Sequence, residues 1–171
     1  MEMIMTMEQH GVIHLQNNFV KIRDEKVANF LCSLIWPLTE AYRTSMLYLF
    51  TLQQKDQQVE FTKLQQYIQW FAKELFDDRI VEHLESCSLD TLKNAVATYK
   101  VMGLIKVDSE IQETGKSLEG IVRTAISENE LVVLERRLNK FMKVAYQPTT
   151  NNPVDIARRT VFADYPFMSK L

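Results

Sequence analysis

The chain has 171 residues, 46% hydrophobic, 25% charged and 10% aromatic, with only four glycines and four prolines. That length carries a core for one domain or two small ones, and so few turn formers argue against a many-turned β-sandwich or barrel and for helix. Twenty basic against twenty-two acidic residues give a formal charge of −2. This argues against nucleic acid gripped through its phosphates, a partner that needs a basic surplus.

The opening residues MEMIMTMEQHGVIHL lack a positive n-region and a continuous apolar stretch, which argues against a signal peptide. Residues 1–18 are expected to be frayed or disordered. Residues 19–54 read as one long kinked helix or two helices meeting at Pro37, because proline removes a donor and clashes with the preceding turn. The most apolar stretch, Val27 to Leu52, is interrupted by Pro37, Glu40 and Arg43. Its uncharged runs reach roughly a dozen residues, where a membrane span needs about 20. Buried core helices account for it, and a patch resting on a membrane surface is the other reading.

After a polar connection, KDQQ at 55–58, the apolar residues Leu64, Ile68, Phe71 and Leu75 recur at spacings of three and four and predict a helix with one buried stripe. Asp77 and Asp78 are expected to cap a short helix with Ile80, Val81 and Leu84 inside. Ser88 then opens a helix with Leu89, Leu92, Val96 and Tyr99 on one face. Gly103 supplies the left-handed residue that ends it, and Leu104 folds back on the last turn. The runs LIKV (104–107) and IVRTAI (121–126), on either side of a polar stretch, predict a hairpin. Short helix, second helix and hairpin, in that order, predict a winged-helix-like part at 79–126. Ser127 and Glu130 form a capping box, and the helix it opens places Leu131, Leu134, Leu138, Phe141 and Ala145 on one side. QPTTNNP (147–153) reads as a loop. The expected fold is mostly α: a helical domain over 19–146 with a winged-helix-like segment and one small β-hairpin, then a loop and tail over 147–171.

Chemistry-bearing residues are sparse. Cys32 and Cys87 form no CxxC, so neither a disulfide framework nor a zinc ribbon is implied. His10 and His14 lie four apart without the glutamate of HExxH or a third ligand nearby, which leaves no metal site expected. His83 sits beside Glu82 and Glu85 and reads as a surface histidine. Cys87 has no histidine partner that sequence can place and reads as a buried or half-buried thiol. Glu40 and Arg43 interrupt an apolar helix and are expected to pair, locally or across the core. The winged-helix part carries Lys93 and Lys100 on its second helix. Its wing holds Asp108, Glu110, Glu113 and Glu119 against Lys106 and Lys116, a balance that repels phosphate, so a packing module is expected rather than a DNA reader. Arg158 and Arg159 suit a phosphate headgroup or simple solvation. GxxxxGK[ST], GxGxxG and GxSxG are all missing. The sharpest motif is the last tripeptide, Ser169-Lys170-Leu171, which reads as the address recognised by the peroxisomal import receptor.

Two segments together resemble a known family. FLCSLIWPLTEAY (30–42) and SLDTLKNAVATYKVMGLIK (88–106) look like the C-terminal region of the glycerol-3-phosphate and dihydroxyacetone-phosphate acyltransferases, over roughly residues 19 to 146. The resemblance implies acyl-CoA as co-substrate. Together with the tripeptide it implies the dihydroxyacetone-phosphate branch, which opens ether-lipid and plasmalogen synthesis at the inner face of the peroxisomal membrane beside alkyl-dihydroxyacetone-phosphate synthase. That family's catalytic signature is a histidine followed, after four residues, by an aspartate, the pair that activates the acceptor hydroxyl. Here the fifth residue after His10 is Leu15, after His14 it is Phe19, and after His83 it is Ser88. A Phe-Pro-Glu-Gly phosphate-binding motif is missing as well, so no catalytic, cofactor or metal residue carries over. The resemblance therefore implies an accessory piece that packs on the acyltransferase core of its parent protein, with peripheral contact to the peroxisomal membrane. A stand-alone winged-helix-like protein-interaction adaptor, its terminal tripeptide fortuitous, is the competing expectation.

Overall fold

The computed structural model describes residues 2–17, 19–53, 59–108 and 120–142. The chain divides into two compact units, Met1–Trp36 and Pro37–Leu171.

In the first unit, helix α1 (Glu2–Gln9) is followed by an antiparallel hairpin of β1 (Ile13–Gln16) and β2 (Phe19–Ile22), and α2 (Glu25–Gln53) then begins. The expectation of a frayed stretch over 1–18, with helix from residue 19, is corrected here. Gly11 adopts φ +70°, and the amides of Gly11 and Val12 bond back to the carbonyls of Glu8 and Met7, which closes α1 as a Schellman motif. Asn17, at φ 50°, turns IHLQ onto FVKI with Ile13 opposite Ile22 and His14 opposite Lys21. Asparagine tolerates the left-handed region that a tight hairpin requires. The helix starts at Glu25 because Asp24 Oδ1 accepts from the amides of Lys26 and Val27 at 3.0 Å.

α2 runs on through Pro37 as one helix, and the division between the units falls at that proline. Beyond it the helix is buried almost all round, from Glu40 to Leu52, as expected of a segment at the centre of a core. In the second unit follow β3 (Val59–Glu60), α3 (Phe61–Asp77), a 3₁₀ turn (Leu84–Cys87), α4 (Leu89–Val101), β4 (Ile105–Asp108), β5 (Ile121–Thr124) and α5 (Glu128–Asn139). The strands form one antiparallel sheet in the order β3-β5-β4. The stripe Leu64, Ile68, Phe71 and Leu75 is fully buried, and Leu92, Val96, Tyr99, Leu104 and Leu131 join it in the core. The architecture is mostly α with small antiparallel sheets.

The winged-helix order is present and begins earlier than residue 79, because β3 pairs with β5 and α3 packs on α4. The short helix expected after Asp78 is displaced. Arg79 takes φ 59°, and the amides of Arg79 and Ile80 bond back to Phe76 and Leu75 to close α3. The next helical turn therefore waits until Leu84. Ser88 stands at the start of α4 without a capping bond from its hydroxyl. Gly103, at φ +74°, ends α4 as expected, with Leu104 N bonded to Tyr99 O at 2.9 Å. Phe141 lies beyond α5 and is exposed rather than on its inner side; Ala145 lies outside the described residues.

Candidate functional site

The polar residues that interrupt the apolar helix turn out to join distant parts of the second unit. Glu40 Oε1 accepts from the amide of Glu82 at 3.1 Å. Its Oε2 accepts from the amide of His83 at 3.1 Å, from Ser86 Oγ at 2.7 Å and from His83 Nδ1 at 3.0 Å. A carboxylate only accepts, so the proton on this edge of the imidazole sits on Nδ1. Four donors converge on the carboxylate, three of them on Oε2. Ser86 donates to the carboxylate and not to the imidazole, so the trio lacks the serine–histidine link of a nucleophilic triad. Its effect is to hold the segment after α3 against α2 and to satisfy amides that lead into the 3₁₀ turn. His83 is thus half-buried and partnered, not simply a surface histidine.

Arg43, three residues along, donates from Nε to Glu135 Oε1 at 2.9 Å, with both side chains buried. Glu40 and Arg43 pair across the core with these distant partners. This ion pair fastens α5 to α2. Tyr42 and Tyr99 meet edge to face at 5.9 Å, and Tyr99 Oη donates to the carbonyl of Tyr42 at 2.6 Å. Burial, with Tyr42 beside it, pushes the Tyr99 phenol far above its ordinary range, so it remains a donor. Cys87 is buried next to this network. Desolvation pushes its thiol up, Lys73 pulls partly back, and Glu40 and Asp77 add to the rise. A thiol held neutral is a poor nucleophile.

The remaining sequence candidates lie apart. His10 is in the turn after α1 and His14 on β1, so they share no helix face. His14 Nδ1 lies 3.7 Å from Glu8 Oε1. Among the described residues no group of three or more His, Cys, Asp or Glu side chains could hold a metal ion. Lys100 lies over the Phe61 ring at 5.6 Å, and Asp108 faces Arg123 at 3.6 Å. Most of the wing, Arg158, Arg159 and Ser169-Lys170-Leu171 lie outside the described residues. No helix among the described residues is long and apolar enough to cross a membrane.

The first unit holds the feature that sequence reasoning missed. Among its described residues only Val12 and Ile13 are buried, while Met3, Met5, Phe19, Phe30, Leu34 and Ile35 stand among ten exposed large apolar side chains. On α2, Val27, Phe30 and Leu34 recur at spacings of three and four and so share one face. On the hairpin every residue of β2 is exposed, and an open groove of about 490 Å³ is lined by His14, Lys21, Ile22 and Arg23. The signal was available: Asn17-Asn18 between two short β-prone runs is a hairpin pattern.

The architecture is thus a helical, winged-helix-like unit preceded by an apolar helix and hairpin. Comparison with protein-family models matches residues 1–108 to the glycerol-3-phosphate acyltransferase C-terminal region, and the chain belongs to that family. The match includes the first unit, which lies partly outside the span 19–146 over which the resemblance is drawn, and it ends at β4. No match was found among the curated proteins.

Proposed function

We propose that the chain is the accessory C-terminal part of an acyl-CoA-dependent O-acyltransferase acting on dihydroxyacetone phosphate, the first step of ether-lipid synthesis. In this reading the acyltransferase core of the same parent protein supplies the histidine and aspartate, and acyl-CoA enters as co-substrate. Ser169-Lys170-Leu171 engages the import receptor and delivers the assembly to the inner face of the peroxisomal membrane, beside alkyl-dihydroxyacetone-phosphate synthase. The observation that carries the reading is the uncovered stripe of Val27, Phe30 and Leu34 on α2 within the family-matched span. A contiguous apolar face of this kind belongs against a partner, and the core of the same protein is always at hand to cover it. The Glu40 and Arg43 networks support it too, because their partners are internal.

The test has two arms. A fluorescent protein fused ahead of Met1 is expected in peroxisomes with the chain intact and in the cytosol once Leu171 is deleted. The purified chain is expected to leave palmitoyl-CoA and dihydroxyacetone phosphate unconverted. Turnover by the chain alone, or a location indifferent to Leu171, overturns the reading. The sheet order β3-β5-β4, which gives the second unit a winged-helix layout of its own, favours one alternative, a protein-interaction adaptor. That adaptor is monodisperse and soluble and keeps its location without Leu171.

A further inference from the structure

We infer that α1 carries a binding site for a soft monovalent cation, copper(I), made of the thioethers of Met3 and Met7 and the imidazole of His10. The three residues follow spacings of four and three, which at about 100° per residue puts them on one face of a helix. His10 lies one residue past the end of α1, yet it keeps the helical register. Its amide bonds to the carbonyl of Thr6 at 3.0 Å, the i to i−4 bond of an α-helix. The bonds of Gly11 and Val12 to Glu8 and Met7 then fix the turn that follows it. A rise of about 1.5 Å per residue sets Met3 and His10 about 10 Å apart, with Met7 between them. Unbranched methionine side chains span such a gap and close on one ion.

Chemistry and charge agree on the ion. Thioether sulfur is a soft donor that selects copper(I), and imidazole completes such a set without favouring calcium or magnesium. Met3 is 74% exposed, His10 is exposed and Met7 is half-buried, so the face is open to solvent. Glu2 and Glu8 are the only charged residues of α1, so no fixed cation on the helix repels a metal. Glu8 is drawn toward the hairpin: its Oε1 accepts from Leu15 N at 3.0 Å and lies 3.7 Å from His14 Nδ1. The hard oxygen donor is thus engaged elsewhere, and the soft face is left to the thioethers. Met5 falls on the opposite side of the helix and takes no part. The ion also gives α1 a hold that packing does not supply. The helix has eight residues and buries none of them, short of the roughly 12–15 that an isolated helix needs in water. An ion bridging Met3, Met7 and His10 ties its first turn to the residue after its last, and binding free energy becomes helix stability. None of these side chains enters the acyltransferase reading, so the two stand or fall separately.

Copper(I), offered as its bicinchoninate complex under ascorbate to the full 171-residue chain, tests the site. A Cys32→Ser background removes the exposed thiol, itself a copper(I) ligand. One equivalent of metal is expected to leave the dye, and Met3→Leu with Met7→Leu is expected to lose that capture. Leucine keeps the volume and helix propensity of methionine, and unchanged circular dichroism shows that the variant folds. With isotope-labelled methionine methyls, the Met3 and Met7 resonances are expected to shift on metal addition while those of Met5 and buried Met46 stay. The amides of α1 are expected to exchange more slowly with the ion bound. Capture undiminished in the leucine variant overturns the inference, as does a methyl response at Met5 equal to that at Met3. Zinc(II) bound as well as copper(I) overturns it in favour of an imidazole–carboxylate site. No capture at all overturns it and leaves the methionines as ordinary apolar surface.

Discussion

Arg43 and Glu135 meet across 92 residues of sequence in an environment that excludes water almost completely. Removing one member of such a pair strands the other charge, and the penalty for that exceeds the net value of the pair itself. Arg43→Met is therefore expected to lower the unfolding free energy by about 3–5 kcal/mol. The double variant Arg43→Met with Glu135→Leu is expected to recover most of the loss, because two apolar groups then share the space. Denaturant melts of the four proteins in the cycle measure this, and a strictly additive double variant would disprove the coupling. Sequence reading identified Glu40 and Arg43 as polar residues out of place in an apolar helix and expected them to pair. Their partners could not be read from it, since Ser86 and Glu135 lie 46 and 92 residues away. His83 next to two glutamates looked like surface until the fold brought the Glu40 carboxylate to its ring.

The helix ends were the most legible elements, because capping is written in a few adjacent residues. Ser127 and Glu130 form the reciprocal capping box at the start of α5: Ser127 N and Oγ both donate to Glu130 Oε2 at 2.8 Å. These bonds, the backbone one foremost, hold the Glu130 carboxyl below its ordinary value of 4.5. A depressed carboxyl pKa contributes stability that is present above the unfolded value and lost as pH falls through the folded one. The stability gap between the native chain and Glu130→Gln is thus expected at neutral pH and should close below pH 4.5. Ser127→Ala is expected to cost about 1 kcal/mol at neutral pH. Melts at the two pH values check both, and a gap that persists in acid would show that the ionised carboxylate is not the cause. Gly103 was legible for the same local reason. Asp78 was misread where a local rule was overridden: it looked like a cap, yet left-handed Arg79 lets the chain reverse onto Leu75 first. β3, only Val59–Glu60, exists because β5 supplies its hydrogen-bonding partner.

At the scale of the whole molecule, the two units differ in how they are held. The second surrounds Phe50, Phe71, Leu64 and Ile68 with helices on several sides, whereas the first buries only Val12 and Ile13 among its described residues. Stability is distributed accordingly in folded proteins, with sparsely buried segments opening long before the core. Amide hydrogen exchange on the isolated chain is expected to show slow exchange in α3 and α4, limited by global unfolding. The amides of α1 and the hairpin should exchange many-fold faster. Equal protection in the two units would contradict this. By itself the sequence determined the helical class, the buried stripe of α3, the hairpin after α4 and the cap of α5, because each follows from periodicity or from groups a few residues apart. Only the tertiary structure decided that Glu40 latches the 3₁₀ turn, that Arg43 meets Glu135 and that the first unit leaves its apolar side chains uncovered. Burial and pairing at long range depend on which surfaces the fold brings together, and no local pattern encodes that.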